Sequence, residues 1–308
     1  MYADLMALSA AFFWAGANAC IFKGASKDGG ENGAFLSILI TFLVMTVIWV
    51  YQHDFSLEQN LNSTGLIHFA VAGMLTLFLG RVFFHGSIQY LGSLRGSSVK
   101  RMIPFFSVAL GVFFLGEKLN SSDLIGMVTI FLGFGLLIFE SHRRSESPAD
   151  SANQFIHLKK NIRIGLLYGV FSALVYSLGN VFRKTGLMNL NDPAFGAMIG
   201  AFVGALLFVI ASVFLKSYRQ SLNNTFSQHN PWLIGAGVSA SIGQWLYFIA
   251  IDESNISRAT LIVSSDIFIT LFLSHLYFKK QERITYHTVG AALLGFIGTA
   301  IIILGNKI

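Results

Sequence analysis

A charged side chain inside a long apolar run costs roughly 2.5–3.5 kcal/mol or more if that run crosses a bilayer, so each one calls for a chemical reason. Arg81 lies well inside the apolar run 65–91, and Arg81, His85 and Gln89 follow one another at i, i+4 and i+8 on one helix face. Lipid cannot satisfy such a stripe, so it must face protein or water. A guanidinium there could capture a carboxylate or phosphate, or could pair structurally with a carboxylate or with helix carbonyls. Asp266 lies about halfway along the run 258–278, beside Ser264 and Ser265. It could serve as counter-ion to Arg81 or to a ligand amine, as a proton-coupling carboxylate, or as a hydrogen-bonded helix carboxylate. Lys100 and Arg101 stand just before Pro104, which removes a backbone donor and is expected to bend its helix. Arg101 faces either a cavity or the headgroups, whereas Lys100 points about 100° away and is expected at the interface.

A second constellation pairs an aromatic ring with an amide one helical turn later. It occurs twice, as Trp14/Asn18 and as Tyr176/Asn180. Rings offer apolar or cation–π contact and Asn offers both donor and acceptor, which suits a cavity wall. The same residues also serve as helix–helix glue in membranes. Gln244, Tyr247 and Phe248 are further candidates for the same wall, with Phe22 and Trp245 beside them. Metal-ligand spacings, phosphate-cradling Gly-rich loops and nucleophile elbows are missing from the sequence, so no catalytic residue, metal or cofactor is expected. Pumping, if it occurs, would then draw on an ion gradient or on exchange.

These residues need a scaffold, and composition says which kind. Apolar residues make up 54% of the 308, charged residues 12%, and mean hydropathy is +0.64. Soluble domains carry about twice that charged fraction, so the chain reads as an integral membrane protein. Its single cysteine, Cys20, excludes an internal disulfide. The net charge of +6 lacks the basic stripe and aromatic platform of a nucleic-acid binder, and is read as topology-setting loop charge. The first apolar run starts too close to Met1 to be preceded by a basic signal region, so it is expected to remain as the first span.

Ten runs are long enough to cross about 30 Å of hydrocarbon as helix: 4–26, 33–51, 65–91, 96–115, 121–140, 163–186, 194–215, 231–251, 258–278 and 285–304. The polar stretch 141–162 reads as a flexible linker and divides them into residues 1–140 and 163–308, five runs each. The halves repeat. An offset of 162 sets Trp14 on Tyr176, Asn18 on Asn180 and Gly24 on Gly186. An offset of 163 sets Gly80 on Gly243, Ile88 on Ile251, Arg95 on Arg258, Phe105 on Phe268 and Leu110 on Leu273. A unit with an odd number of spans must be inverted in its second copy. The predicted fold is therefore an all-α integral membrane protein of ten transmembrane helices, built as two inverted five-helix repeats. Inverted repeats are a common plan of secondary transporters, with the substrate site near the midplane between them.

The segment Leu94-Arg95-Gly96-Ser97-Ser98, Pro104-Phe105-Phe106, Phe114-Leu115-Gly116-Glu117-Lys118 and Gly126 resembles an EamA repeat of the drug/metabolite transporter superfamily. Its second copy runs Ser257-Arg258-Ala259-Thr260, Phe278, Glu282 and Gly290. That copy departs from the pattern, with Ile267 in place of the proline and Lys279-Lys280-Gln281-Glu282 in place of Leu-Gly-Glu. The resemblance covers essentially the whole chain. It implies a central cavity lined by spans 1, 3, 4, 6, 8 and 9, alternating access, and a non-enzymatic role. It fixes no substrate. Arg81 and Arg101 favour a small amino acid, zwitterion or organic anion, moved with proton coupling or by exchange. The rival expectation is export of hydrophobic cations anchored by Asp266. Expected partners are a small-molecule substrate and the lipid bilayer, with no nucleic acid; the chain is expected to be a monomer or weak dimer in a bacterial inner membrane.

Orientation sets two rules against each other. The resemblance implies cytoplasmic termini. Lys and Arg, however, concentrate at the ends of the runs that carry the 141–162 linker, as at Arg143, Arg144, Lys159, Lys160 and Arg163, and cytoplasmic loops are the ones enriched in such charge. The charge rule predicts termini outside and the linker inside. A C-terminal fusion to a reporter that fluoresces only in the cytoplasm should stay dark, while a phosphatase fusion active only outside should be active. Bright fluorescence without phosphatase activity reverses the assignment.

Overall fold

Backbone N–H and C=O groups find no water in hydrocarbon, so a chain this apolar must satisfy them within helices. The computed structural model describes residues 1–24, 34–53, 62–91, 102–145, 155–227, 230–277 and 286–305, and among them every regular element is helical. In order these are α1 (Tyr2–Gly24), α2 (Ala34–His53) and α3 (Ser63–Gly73), which passes through a π-helical stretch (Met74–Leu79) into α4 (Gly80–Leu91). There follow α5 (Ile103–Leu115), α6 (Ser121–Ser145), α7 (Phe155–Asn189), α8 (Pro193–Phe214), α9 (Lys216–Ser227) and α10 (Pro231–Glu253). The last three are α11 (Ile256–Val263), α12 (Asp266–Tyr277) and α13 (Tyr286–Leu304). Among the described residues six helical stretches are long and apolar enough to cross a membrane: Tyr2–Ile21, Ala34–Gln52, Ser63–Phe84, Arg163–Asn189, Pro193–Phe214 and Pro231–Glu253. Shorter apolar helical stretches cover Ile103–Leu115, Ser121–Leu136 and Val289–Leu304. The protein is a multi-pass integral membrane protein.

Local chemistry sets the helix ends. Asn62, Asp192 and Asn230 each accept from a backbone N–H of the first turn of α3, α8 and α10, at 2.9–3.0 Å. Pro193 and Pro231 occupy the first turn, where a missing N–H is harmless. Gly116 ends α5 with φ at 64°, a left-handed cap that an L side chain would strain. The α10–α11 junction is held from outside. Lys184 Nζ donates to the carbonyls of Ile251, Asp252 and Ser254 at 2.7–3.0 Å, and Glu117 accepts from the N–H groups of Ile256 (2.6 Å) and Ser257 (3.0 Å). A cation on a helix C-terminus and an anion on the next N-terminus both match the helix dipoles.

Four features differ from the sequence expectation. The run 258–278 is two helices, broken at Ser264–Ser265. Pro104 stands in the first turn of α5, where its ring fits without breaking a hydrogen bond; residues 96–101 lie outside the described residues. The stretch 216–227, read as a connection, forms α9, whose Arg219 caps the end of α8 by donating to Ser212 O and Val213 O. Finally, α6 runs on to Ser145 and α7 begins at Phe155, so helix enters the 141–162 linker from both sides.

The main packing partners lie in opposite halves of the chain. The helix α1 packs on α10, α2 on α8, α3 and α4 on α7, and α6 on α13. Several contacts come in matched pairs. A β-carbon added at Gly243 would meet the Trp14 ring at 2.7 Å, and one at Gly80 would meet the Tyr176 ring at 2.8 Å. Asn18 Nδ2 donates to Thr270 Oγ1 (3.5 Å) of α12, and Asn180 Nδ2 donates to Ser107 Oγ (3.2 Å) of α5. Every member of one pair lies 162 or 163 residues from its counterpart in the other.

Since each aromatic ring rests on a bare backbone, Gly243→Ala and Gly80→Ala should each destabilise by about 1–3 kcal/mol, the usual result of overpacking. Gly135 has nothing within 4 Å of an added β-carbon, so Gly135→Ala should be neutral or slightly stabilising. Thermal unfolding in detergent reads all three, and two glycines that tolerate alanine as well as Gly135 does would refute the wedge.

Candidate functional site

The half-to-half packing leaves a narrow, mainly apolar cavity with a few polar groups in its wall. It is lined by Thr41 of α2, Phe69, Ala72 and Gly73 of α3, Thr76 and Leu77 of the π-helical stretch, Arg183 of α7, Ala197 and Gly200 of α8, and Gln244 and Phe248 of α10. Both halves of the chain contribute. Water-accessible space inside is about 10 Å³, room for roughly one water molecule.

Arg183 is the residue around which this cavity is built. It is 6% exposed. One Nη donates to Asn180 Oδ1 (3.2 Å) and the other to Thr76 Oγ1 (2.9 Å). Its guanidinium carbon lies 5.1 Å from the Phe248 ring centroid and 5.9 Å from that of Tyr247. Thr76 accepts because its own hydroxyl hydrogen is committed to Ala72 O (2.8 Å), and the Asn180 amide is oriented by its N–H donating to Ser107, which turns its oxygen to Arg183. The π-helical stretch carries Thr76 past the α7 backbone, with Gly179 leaving space for the threonine methyl. No carboxylate is bonded to Arg183 among the described residues, and only two of a guanidinium's five N–H donors have partners. Gln244 likewise has no hydrogen-bond partner among them, although it lines the same cavity.

A second buried arginine shows what full compensation looks like. Arg258 of α11 donates to Asp4 Oδ1 (2.6 Å), Asp4 Oδ2 (3.3 Å), Asp123 Oδ1 (2.7 Å) and Ile302 O (2.6 Å). The Met1 amino group adds a further contact to Asp4 at 3.2 Å. This cluster ties α1, α6, α11 and α13 together at the end of the bundle where α1 begins and α13 ends. We refer to that end as the terminal face.

The residues singled out from sequence fall into three groups. Asn180, Gln244, Tyr247 and Phe248 gather around Arg183. Tyr247 is buried, shares a hydrogen bond with Thr260 Oγ1 (2.8 Å), and meets Trp14 in a tilted ring contact at 5.2 Å, and the Trp14 indole N–H donates to Ala240 O. Trp14 and Tyr176 act as wedges between helices, and Asn18 joins α1 to α12, so these three serve packing at least as much as a cavity wall. Arg81 is half-buried away from the cavity, with an Nη donating to Ala34 O at the start of α2 (2.9 Å). Asp266 opens α12 directly after the Ser264–Ser265 break, and its carbonyl accepts from Thr270 Oγ1 (2.7 Å). Arg101, and the side chains of His85, Gln89 and Phe22, lie outside the described residues.

Sequence reasoning missed Arg183 because it stands near the end of the apolar run 163–186, where a long basic side chain is expected to snorkel. The helix in fact continues to Asn189. A signal was present: Tyr176, Asn180 and Arg183 follow at i, i+4 and i+7, one helix face.

The described site holds no cluster of His, Cys, Asp or Glu suited to a metal ion among the described residues. Similarity to known proteins places the chain. YhbE of Escherichia coli K12, an uncharacterized inner membrane transporter, is 21% identical over 244 residues, 78% of this chain and 68% of that protein. The proteins of the same name in Escherichia coli O157:H7 and Shigella flexneri match to the same extent. A solved crystal structure superimposes with a TM-score of 0.67 at 15% identity, covering 98% of both chains, which shows a shared fold. The model of the EamA-like transporter family matches residues 1–139 and 163–304. The chain therefore belongs to the EamA-like transporter family, within the drug/metabolite transporter superfamily.

Proposed function

We propose that this chain is a secondary active transporter that carries a small polar or amphipathic metabolite, an amino acid, other zwitterion or organic anion, across a bacterial inner membrane. The observation that carries this reading is a cavity lined from both halves of the chain, with an arginine as the one charged lining residue among the described residues. That positive charge disfavours the rival reading, a cation exporter, which needs an acidic anchor at the same place.

The mechanism follows from how the halves are put together. The matched pairs Trp14–Gly243 with Tyr176–Gly80, and Asn18–Thr270 with Asn180–Ser107, support two inverted five-helix repeats related by a pseudo-twofold axis. Counting α3 with α4 and α11 with α12 as single crossings, and leaving aside α9, gives ten crossings. The Arg258 cluster has no acidic counterpart in the other half, since offsets of 162 and 163 set Asp4 on Leu166 and Asp123 on Tyr286. In this reading it is a latch at the terminal face, and alternating access requires it to open. Coupling to protons or to a counter-substrate completes the cycle.

Two experiments test this. Proteoliposomes preloaded with unlabelled organic anions or zwitterions should take up the labelled solute by exchange. Uptake of cationic dyes alone would overturn the reading in favour of its rival. For the latch, Asp123→Asn should speed maleimide labelling of a cysteine placed at the buried position Thr260, in a Cys20→Ser background. Arg258→Met leaves two buried carboxylates without their cation and should cost about 3–5 kcal/mol in thermal unfolding. Labelling unchanged by Asp123→Asn would remove the latch from the cycle.

A further inference from the structure

The charges around the cavity narrow the substrate class further. A buried cation is tolerated when fixed anions or dipoles neutralise it, and it is costly when they do not. Arg258 has two carboxylates and a carbonyl, whereas Arg183 has one amide oxygen, one hydroxyl and two aromatic faces. Among the described residues, no lining residue of the cavity is acidic. The nearest second cation along the chain, Lys184, turns away and spends its ammonium on the three carbonyls that end α10. Among the described residues, the site therefore offers one positive charge without an anionic partner.

We infer that Arg183 binds the carboxylate of a net-monoanionic organic acid in a conformation more open than this one, whose cavity has room for roughly one water molecule, with Gln244 as a neutral hydrogen-bonding neighbour and Phe69, Leu77 and Phe248 against an uncharged apolar body. This deepens the transport reading and rests on it, because it assigns the substrate of that same cavity. One guanidinium matches one carboxylate through two parallel N–H···O bonds. A dianionic phosphate ester or dicarboxylate would bring a second negative charge that the site does not match. A zwitterionic amino acid would bring an ammonium group with no acidic side chain to receive it. The apolar walls suit the rest of a monocarboxylate, as in ligand pockets that combine a few polar groups with a mainly apolar lining. The carboxylate would use the guanidinium N–H donors left without protein partners, and the Gln244 amide could add one more bond.

The test is binding by the full-length protein in detergent, read by thermal shift and calorimetry, in parallel with proteoliposome exchange. The probes are benzoate and hexanoate as monocarboxylates, benzamide as a neutral isostere, phenylalanine as a zwitterion, and phthalate and phenyl phosphate as dianions. Benzoate or hexanoate should bind, and should bind at least on the order of tenfold more tightly than the other four, the equivalent of one charge-assisted hydrogen bond. Arg183→Lys keeps the charge but loses the fork and should weaken binding by a similar factor. Gln244→Leu, a milder change that leaves the buried cation in place, should weaken it less. Phenylalanine or a dianion binding as tightly as benzoate overturns the monocarboxylate assignment. So does benzoate binding unchanged in both variants, or absence of monocarboxylate binding by the folded protein. Exchange separates the two levels: exchange of amino acids but not monocarboxylates refutes this assignment and leaves the transport reading standing, whereas exchange of no solute refutes the transport reading.

Discussion

A guanidinium buried among apolar helices must have its charge answered, and much of this structure is arranged around two such groups. Arg258 is answered by the protein itself, through two aspartates from α1 and α6 and a carbonyl from α13. Arg183 is answered only in part, by an amide oxygen, a hydroxyl and two ring faces. The first arrangement is self-sufficient and joins helices of both halves at one end of the bundle. The second leaves hydrogen-bonding capacity directed at a cavity. In a low-dielectric interior, that difference separates a structural charge from one available to a solute.

Between the two sits the α10–α11 junction, and it links them physically. Lys184 is adjacent to Arg183 in sequence and holds the end of α10. Glu117 reaches from the end of α5 and holds the start of α11, two residues before Arg258. Tyr247 touches both environments, with its ring near Arg183 and its hydroxyl on Thr260 of α11. The cavity and the terminal face are thus joined through a helix junction whose two ends are held by single side chains. The π-helical stretch at Met74–Leu79 positions Thr76 against Arg183.

The duplicated contacts explain why so apolar a chain packs specifically. Lipid tails compete with apolar side chains for helix surfaces, so burial alone does not drive one membrane helix against another. Close backbone approach and hydrogen bonds across helices do. The ring-on-glycine contacts and the Asn18 and Asn180 amide bonds provide both, once in each half. The matching ends at Asp4 and Asp123, which have Leu166 and Tyr286 at their counterpart positions.

By itself the sequence determined the membrane class, because hydrophobic run length and charge scarcity depend on composition along the chain. It also carried the matches at offsets of 162 and 163 that point to a repeat, and it placed Asn180, Gln244, Tyr247 and Phe248 among the candidates. Only the tertiary structure put Arg183 at the cavity. Depth along a run pointed to Arg81, yet Arg81 reaches the backbone at the start of α2, while Arg183, seemingly near a span's end, bends its long side chain inward to Thr76. The identity of Trp14 and Tyr176 as wedges, and the break at Ser264–Ser265, were likewise decided there. The physical reason is the same in each case. Helical periodicity fixes which residues share a face, but which face meets which partner depends on close contacts between helices more than a hundred residues apart.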